Sequence, residues 1–112
     1  DADRLQFSSG ILLEEKNLPE AAKTALEAMK KAADGLLSTK GLWLSDGYDT
    51  VTEFEKHFGS EGFYRPCAEY FFRANRDGWD ALNEEQTHQR VEEARLFIEE
   101  AEKVYSRIGA PA

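Results

Sequence analysis

The chain has 112 residues, one cysteine and a formal net charge of −8. A single cysteine cannot form an intrachain disulfide, so we expect a reducing, cytosolic setting. The excess of acids removes the long-range attraction to phosphate that nucleic-acid binders use. No apolar run approaches the roughly 20 residues that span a bilayer, so we expect neither nucleic acid nor membrane as a partner.

The length fits one domain, residues 1–112. The first residues, Asp1-Ala2-Asp3-Arg4, contain neither an initiator methionine nor an apolar signal segment. The missing methionine fits processing, trimming or excision of this single domain from a longer chain, and of these we favour excision.

A first helix is predicted over residues 3–16, although Gly10 in its middle weakens helix formation. Its apolar residues occupy more than one side, as expected if the helix contacts both the core and a partner. They are Leu5, Phe7, Ile11, Leu12 and Leu13. A two-fold homodimer is the expected assembly.

The second helix, predicted over residues 19–38, has the clearest amphipathic pattern. Asn17 or Leu18 is expected at its cap, with Pro19 in the first turn and Gly41 just past the end. Its buried stripe is predicted to contain Ala22, Leu26, Met29, Ala33, Leu36 and Leu37.

An apolar loop is predicted at residues 42–47, with no strand assigned to it. A short third helix over 49–57 follows, with a capping box formed by Thr50 and Glu53. A glycine-rich turn at 59–62 is expected to end it.

The fourth helix is predicted over 65–79, with Pro66 in its first turn, and the fifth over 84–108, capped by Asn83. The buried stripe of the fifth is predicted to contain Thr87, Val91, Ala94, Ile98, Ala101, Tyr105 and Ile108, flanked by Phe97 and Val104. These segments predict an all-α fold, an antiparallel four- to five-helix up-and-down bundle.

The residue types that carry most enzymatic chemistry are sparse. His57 and His88 lie on different segments, and no Glu-x-x-His pair lines an apolar face as di-iron bundles require. Cys67 lacks a neighbouring histidine and is predicted to be a small buried residue. We therefore expect no catalytic set, no metal site and no cofactor.

The fourth helix carries the one candidate ligand site. Arg65, Arg73 and Arg76 fall within an arc of about 80° at helical spacing, beside Phe72 and Trp79. Such a stripe can stack on a base and bind phosphate. The alternative is an exposed ladder of charges at i,i+4 spacing. Its members would be Arg65, Glu69, Arg73 and Asp77.

Four features together resemble the HEPN domains, which are small antiparallel helical bundles. The first is the Ala-rich helix with its glycine stop, residues 21–41, and the second is the short third helix after a polar turn. The third is Arg73-Ala74-Asn75-Arg76-Asp77-Gly78-Trp79, and the fourth is the final helix around residues 92–101. The resemblance covers about residues 3–108 and implies a helical bundle that tends to dimerise.

The sequence departs from the family's ribonuclease motif, an Arg followed after four to six residues by a His. Counted from Arg73 or Arg76, neither residues 78–80 nor residues 81–83 contain a histidine. Without an imidazole there is no obvious acid or base for RNA cleavage near neutral pH. The resemblance thus implies a member without nuclease activity.

Three hypotheses follow. The first is a non-catalytic HEPN-like module that dimerises or docks onto a partner, similar to the C-terminal extensions of some sulfite and nitrite reductases. The second is a nucleotide-binding module that uses Arg73, Arg76, Asp77 and Trp79. The third, an RNA-cleaving toxin, is disfavoured by the missing histidine.

Overall fold

A computed structural model describes residues 2–38, 49–58, 63–79 and 82–109. These residues form helices and contain no strand, so the predicted all-α fold class is confirmed. The helices are α1 (Ala2–Glu14), α2 (Leu18–Ser38), α3 (Thr50–Phe58), α4 (Arg65–Asp77) and α5 (Glu84–Gly109). The predicted loop 42–47, the stop at Gly41 and the turn 59–62 lie outside the described residues.

Helices α1 and α5 run antiparallel, because early residues of one contact later residues of the other. Gln6 Nε2 donates a hydrogen bond to the Val91 carbonyl at 3.1 Å, whereas Lys16 lies 3.3 Å from Glu84 at the opposite end. Gly10 does not interrupt α1, which continues through it to Glu14.

Helix α2 turns back along α1 after a tight connection. Lys16 adopts a left-handed conformation with φ 60°, and the Asn17 carbonyl accepts a hydrogen bond from the Ala21 N–H at 2.9 Å, which places Asn17 at the cap. The buried Ser9 hydroxyl donates to the Ala21 carbonyl at 3.0 Å. Ala21 at this contact is small and fully buried, which allows the two helix backbones to approach closely.

Helices α4 and α5 form an antiparallel hairpin. Contacts run from Cys67 Sγ, 3.7 Å from the Leu96 carbonyl, to Arg90 Nη1, 2.7 Å from the Gly78 carbonyl at the other end. The pairs α1–α2, α1–α5 and α4–α5 run in opposite directions, as in an up-and-down bundle. Helices α2 and α5, both antiparallel to α1, run parallel to each other where they pack together, and α3 packs against α2 and α4.

The centre of the core is aromatic. Phe54 of α3 is fully buried, with its ring centroid 5.0 Å from that of Phe63 and 5.3 Å from that of Phe71, both edge-on. Phe71 in turn stacks on Phe97 at 4.9 Å. Such edge-on and stacked pairs add to the stabilisation from apolar burial, so Phe54 helps to hold α3 against the rest of the bundle.

The structure confirms one of the predicted helix caps and corrects another. At α5 the prediction is confirmed, because the Asn83 side chain accepts a hydrogen bond from the Gln86 N–H at 2.8 Å, and Gln86 Oε1 accepts one from the Asn83 N–H at 3.0 Å. At α3 the Thr50 box was wrong. Asp49 caps the helix by accepting a hydrogen bond from the Thr52 N–H at 2.9 Å, while the Thr50 hydroxyl bonds to Asp34 of α2.

The predicted buried stripes hold with one exception. All six residues predicted for α2 are buried, and so are the first five predicted for α5. Tyr105 is exposed instead, and the flanking Phe97 and Val104 are buried. The buried face of α5 therefore lies slightly to one side of the predicted stripe. The Ile108 side chain lies outside the description.

Candidate functional site

The end of α4 determines how the predicted ligand residues are arranged. Gly78 has φ 77° and ψ −164°, a conformation that residues with a Cβ rarely adopt, and its N–H donates to the Ala74 carbonyl at 3.1 Å. The helix therefore stops at Asp77, two residues before the predicted end, and the chain turns away before Trp79.

Arg73 points across to α5 rather than along its own helix. Its Nη2 lies 2.8 Å from Oε2 of the buried Glu93, and Gln89 Nε2 donates to the same oxygen at 3.0 Å. The Arg73 guanidinium also lies 5.7 Å from the centre of the Tyr70 ring. Its charge is thus largely matched within the chain.

Arg90 is a functional candidate that the sequence reasoning missed. It is only 6% exposed, and burial lowers the pKa of its guanidinium below the ordinary range for arginine. The sequence could have indicated the burial of Arg90, because this residue directly precedes the buried Val91. A long polar side chain at that position borders the apolar stripe of α5.

Arg76 and Trp79 lie apart from the contact between Arg73 and Glu93. The Arg76 side chain is 68% exposed, with Nε 3.3 Å from Asp77 Oδ1. Trp79 packs against the core, and Lys23 Nζ of α2 lies 5.6 Å from the ring centroid. The four predicted ligand residues are consequently not brought together on one surface.

The predicted charge ladder is present only at its first step. Arg65 Nη2 lies 3.9 Å from Glu69 Oε1, a spacing at which an exposed pair contributes little. Arg73 pairs with Glu93 on α5, and Asp77 with its neighbour Arg76. The ladder was therefore the wrong description of the second half of α4, where Arg73 pairs with α5 and Asp77 pairs with Arg76.

A shallow groove of about 240 Å³ lies between α4 and α5. Its described lining residues are Arg73, Asp77, Leu82, Gln86, Gln89, Arg90 and Glu93. Two guanidinium groups face two carboxylates there, so the groove offers no surplus positive charge to a phosphate.

The histidines and the cysteine show no catalytic arrangement. His57 Nε2 lies 3.5 Å from Glu53 Oε2 within α3, and His88 is exposed on α5. Among the described residues no group of three metal-ligating side chains occurs. Cys67 is buried as predicted, and burial raises the pKa of its thiol.

The outer face of α1 carries two large apolar side chains that are exposed to solvent. Phe7 is 72% exposed and Ile11 is 42% exposed, one helical turn apart. They border a shallow groove of about 510 Å³ together with Gln6, Gly10, Glu14 and Arg95 of α5. The other apolar residues of α1, Leu5, Leu12 and Leu13, pack against the core.

These arrangements define a helical bundle with an internally paired α4–α5 groove and an exposed apolar helix face. Comparison with protein-family models, with curated proteins and with solved structures found no match. Within the described residues no helix is both long enough and apolar enough to cross a membrane.

Proposed function

We propose that this chain is a non-catalytic, HEPN-like helical module that docks onto another protein, either a second copy or a neighbouring domain. The observation that carries the proposal is the exposure of Phe7 and Ile11 on α1. Large apolar side chains grouped on a surface are typical of protein interaction sites, because covering them removes apolar area from water.

The absence of a motif histidine supports a role without catalysis. Gly78 and Trp79 stand where a HEPN ribonuclease would place an imidazole after Arg73. Gly78 serves instead as the helix stop, and its carbonyl is bonded to Arg90. Gly78 and Trp79 therefore have structural roles in this chain, the first as a helix stop and the second in packing against the core.

The proposal includes an appended version, in which this bundle is the C-terminal domain of a larger enzyme such as a sulfite or nitrite reductase. The parent protein would then cover the face of α1. The finding that the gene encodes only these residues would rule out the appended-domain proposal. The single cysteine, Cys67, which is buried and has no intrachain partner for a disulfide, supports a cytosolic setting in either case.

Nucleotide binding is the second candidate, favoured by the presence of Arg73 and Arg90 in the α4–α5 groove. Asp77 and Glu93 line the same groove and oppose a bound phosphate. Calorimetric titration with ATP at millimolar concentration tests this function. We expect no heat of binding, and saturable heat that is lost on Arg73→Ala would favour the nucleotide instead.

The docking function is tested by photo-crosslinking in the cell in which the protein naturally occurs. A photoreactive amino acid replaces Phe7 in one variant and the exposed Glu27 of α2 in a matched control. We expect a discrete adduct from position 7 only. Equal or absent crosslinking at the two positions, with both proteins folded, would contradict the proposal.

A further inference from the structure

Gly10 lies in the middle of α1, where a glycine makes the helix less stable than an alanine would. Nothing in the described part of the chain requires a glycine at this position. Among the described glycines only Gly78 has a positive φ, so the backbone conformation does not call for Gly10. A Cβ placed on Gly10 would meet no atom within 4 Å. The missing side chain therefore leaves an opening on α1 that the packing of this chain does not use.

The opening lies in the shallow groove between α1 and α5, which Gly10 lines together with the exposed Phe7 and Ile11. Gln6 lines the same groove. Its Nε2 donates to the Val91 carbonyl, and its Oε1 is buried without a hydrogen-bond partner among the described residues. A buried acceptor without a donor is unfavourable. Exposed apolar side chains, an unused opening and an unsatisfied acceptor thus occur together, as expected of a surface that a partner completes.

The charges around this groove are mostly negative. Glu14 is exposed at one end of it. On the α5 side, Arg95 is paired with Glu92 and with Glu99, the latter through Nη1 and Oε1 at 2.7 Å, so three carboxylates outnumber one guanidinium. Arg4, a further cation on α1, lies about 120° around the helix from the glycine and already interacts within the chain. The groove therefore favours a partner with positive charges beside its apolar side.

From these observations we infer that the groove binds an amphipathic helix of a different protein, one that carries lysine or arginine beside its apolar stripe. A helix fits because the groove runs between two antiparallel helices, and amphipathic helices bind such grooves through their apolar face. The inference rests on the proposed docking function and names the chemistry of the partner. A second copy of this chain, with a net charge of −8 and the same negative rim, does not supply the positive charges.

Gly10 determines how closely this helix approaches α1. A large apolar side chain of the partner, such as leucine, can pack over Gly10 because no Cβ stands in its way. A methyl group added there would hold the two backbones apart and leave part of Phe7 and Ile11 uncovered. Gly10→Ala should therefore weaken docking while it makes the isolated chain more stable, which gives two effects of opposite sign from a single methyl group.

The photo-crosslinking from position 7 is repeated with Gly10→Ala in the same chain to test this role. The yield of the adduct should fall by about tenfold. Gly35→Ala is the matched control, since a Cβ there also meets no atom within 4 Å. Gly35 lies about 20 Å along α2 from Ala21, which contacts Ser9 of α1, so the yield should stay within about twofold.

The charge of the partner is tested in two ways. Glu14→Lys should lower the yield by about threefold, whereas Glu27→Lys, at an exposed position on α2, should leave it unchanged. Mass spectrometry of the adduct identifies the crosslinked segment. We expect an amphipathic helix of another protein with more lysine and arginine than acid.

An adduct yield that Gly10→Ala leaves unchanged would overturn the inference. So would a crosslinked segment that belongs to this chain or lacks an excess of positive charge. In each of these outcomes position 7 still crosslinks, so the docking function stands. No adduct from position 7 in any variant would remove the docking function itself. Urea unfolding should show that Gly10→Ala is at least as stable as the original chain, which separates a lost adduct from lost folding.

Discussion

Nη2 of Arg73 on α4 lies 2.8 Å from Oε2 of Glu93 on α5, and Glu93 is 10% exposed while Arg73 is 42% exposed. The more buried partner depends on the other for compensation of its charge, because an unpaired buried carboxylate is costly. The residue that was a candidate ligand contact therefore holds two helices together.

The Arg73–Glu93 pair predicts a difference between two neighbouring arginines. Arg73→Ala should lower the free energy of unfolding by about 1–2 kcal/mol, because it leaves the Glu93 carboxylate without its cation. Arg76→Ala, which removes an exposed pair with Asp77, should cost less than about 0.5 kcal/mol. Urea unfolding of the two variants measures both values. Equal costs would show that Arg73 does not support the α4–α5 contact.

Phe54 and Phe7 give a second contrast, between a buried and an exposed phenylalanine. Phe54→Ala should destabilise by about 3–5 kcal/mol, because it removes the ring that contacts Phe63 and Phe71 and leaves a cavity. Phe7→Ala should change the stability by less than about 0.5 kcal/mol. Denaturant unfolding at low protein concentration, where self-association is negligible, tests both. A large loss from Phe7→Ala would mean that this ring contributes to the folded monomer.

The Asp49 cap predicts a dependence on pH. The hydrogen bond from the Thr52 N–H, followed by that from its side chain, lowers the pKa of Asp49 below the ordinary value of 3.8. A carboxyl group with a lowered pKa in the folded state stabilises fully above 3.8, and this contribution is lost as the pH falls through the folded value. Asp49→Ala should cost about 1 kcal/mol at neutral pH, and less in acid.

Asp49→Asn is the matched control for this effect. An asparagine amide oxygen also caps a helix but does not titrate. The difference in unfolding free energy between the Asn and Ala variants should stay constant as the pH is lowered. A difference between Asp49 and Ala that is independent of pH would refute the role of the charged cap.

The glycines give a fourth prediction, with opposite signs at different positions. A Cβ added at Gly10 of α1 or Gly35 of α2 would meet no atom within 4 Å, so Gly10→Ala and Gly35→Ala should each stabilise by about 0.5–1 kcal/mol. Gly78→Ala should destabilise by about 1–3 kcal/mol, because its φ of 77° strains a residue with a Cβ. Thermal unfolding compares the three. A stabilising Gly78→Ala would contradict the helix stop assigned to it.

The helices could be predicted from the sequence because each has a continuous apolar stripe and clear end signals. Asn83 and Pro66 marked the starts of α5 and α4 correctly. The cap of α3 was misassigned, since Asp49 and Thr50 are both good capping residues. The choice between them depended on Asp34 of α2, which gives the Thr50 hydroxyl another partner.

The candidate site was less accessible to sequence reasoning. A helical projection places Arg73 and Arg76 on one side of α4, but it does not show which of them meets a neighbouring helix. Glu93, twenty residues from Arg73 in the chain, decides this through a contact between helices. Trp79 was projected onto the same helix, whereas the turn at Gly78 carries it towards α2.

The bond from Arg90 to the Gly78 carbonyl couples the final geometry of α4 to the presence of α5. The two residues are separated by only 12 positions, and a loop of about ten residues closes within roughly 100 ns. The α4–α5 hairpin can therefore form as a local unit before α1 returns to close the bundle. Contacts of this kind, near in sequence, favour rapid folding, whereas the α1–α5 contacts join distant parts of the chain and close much longer loops.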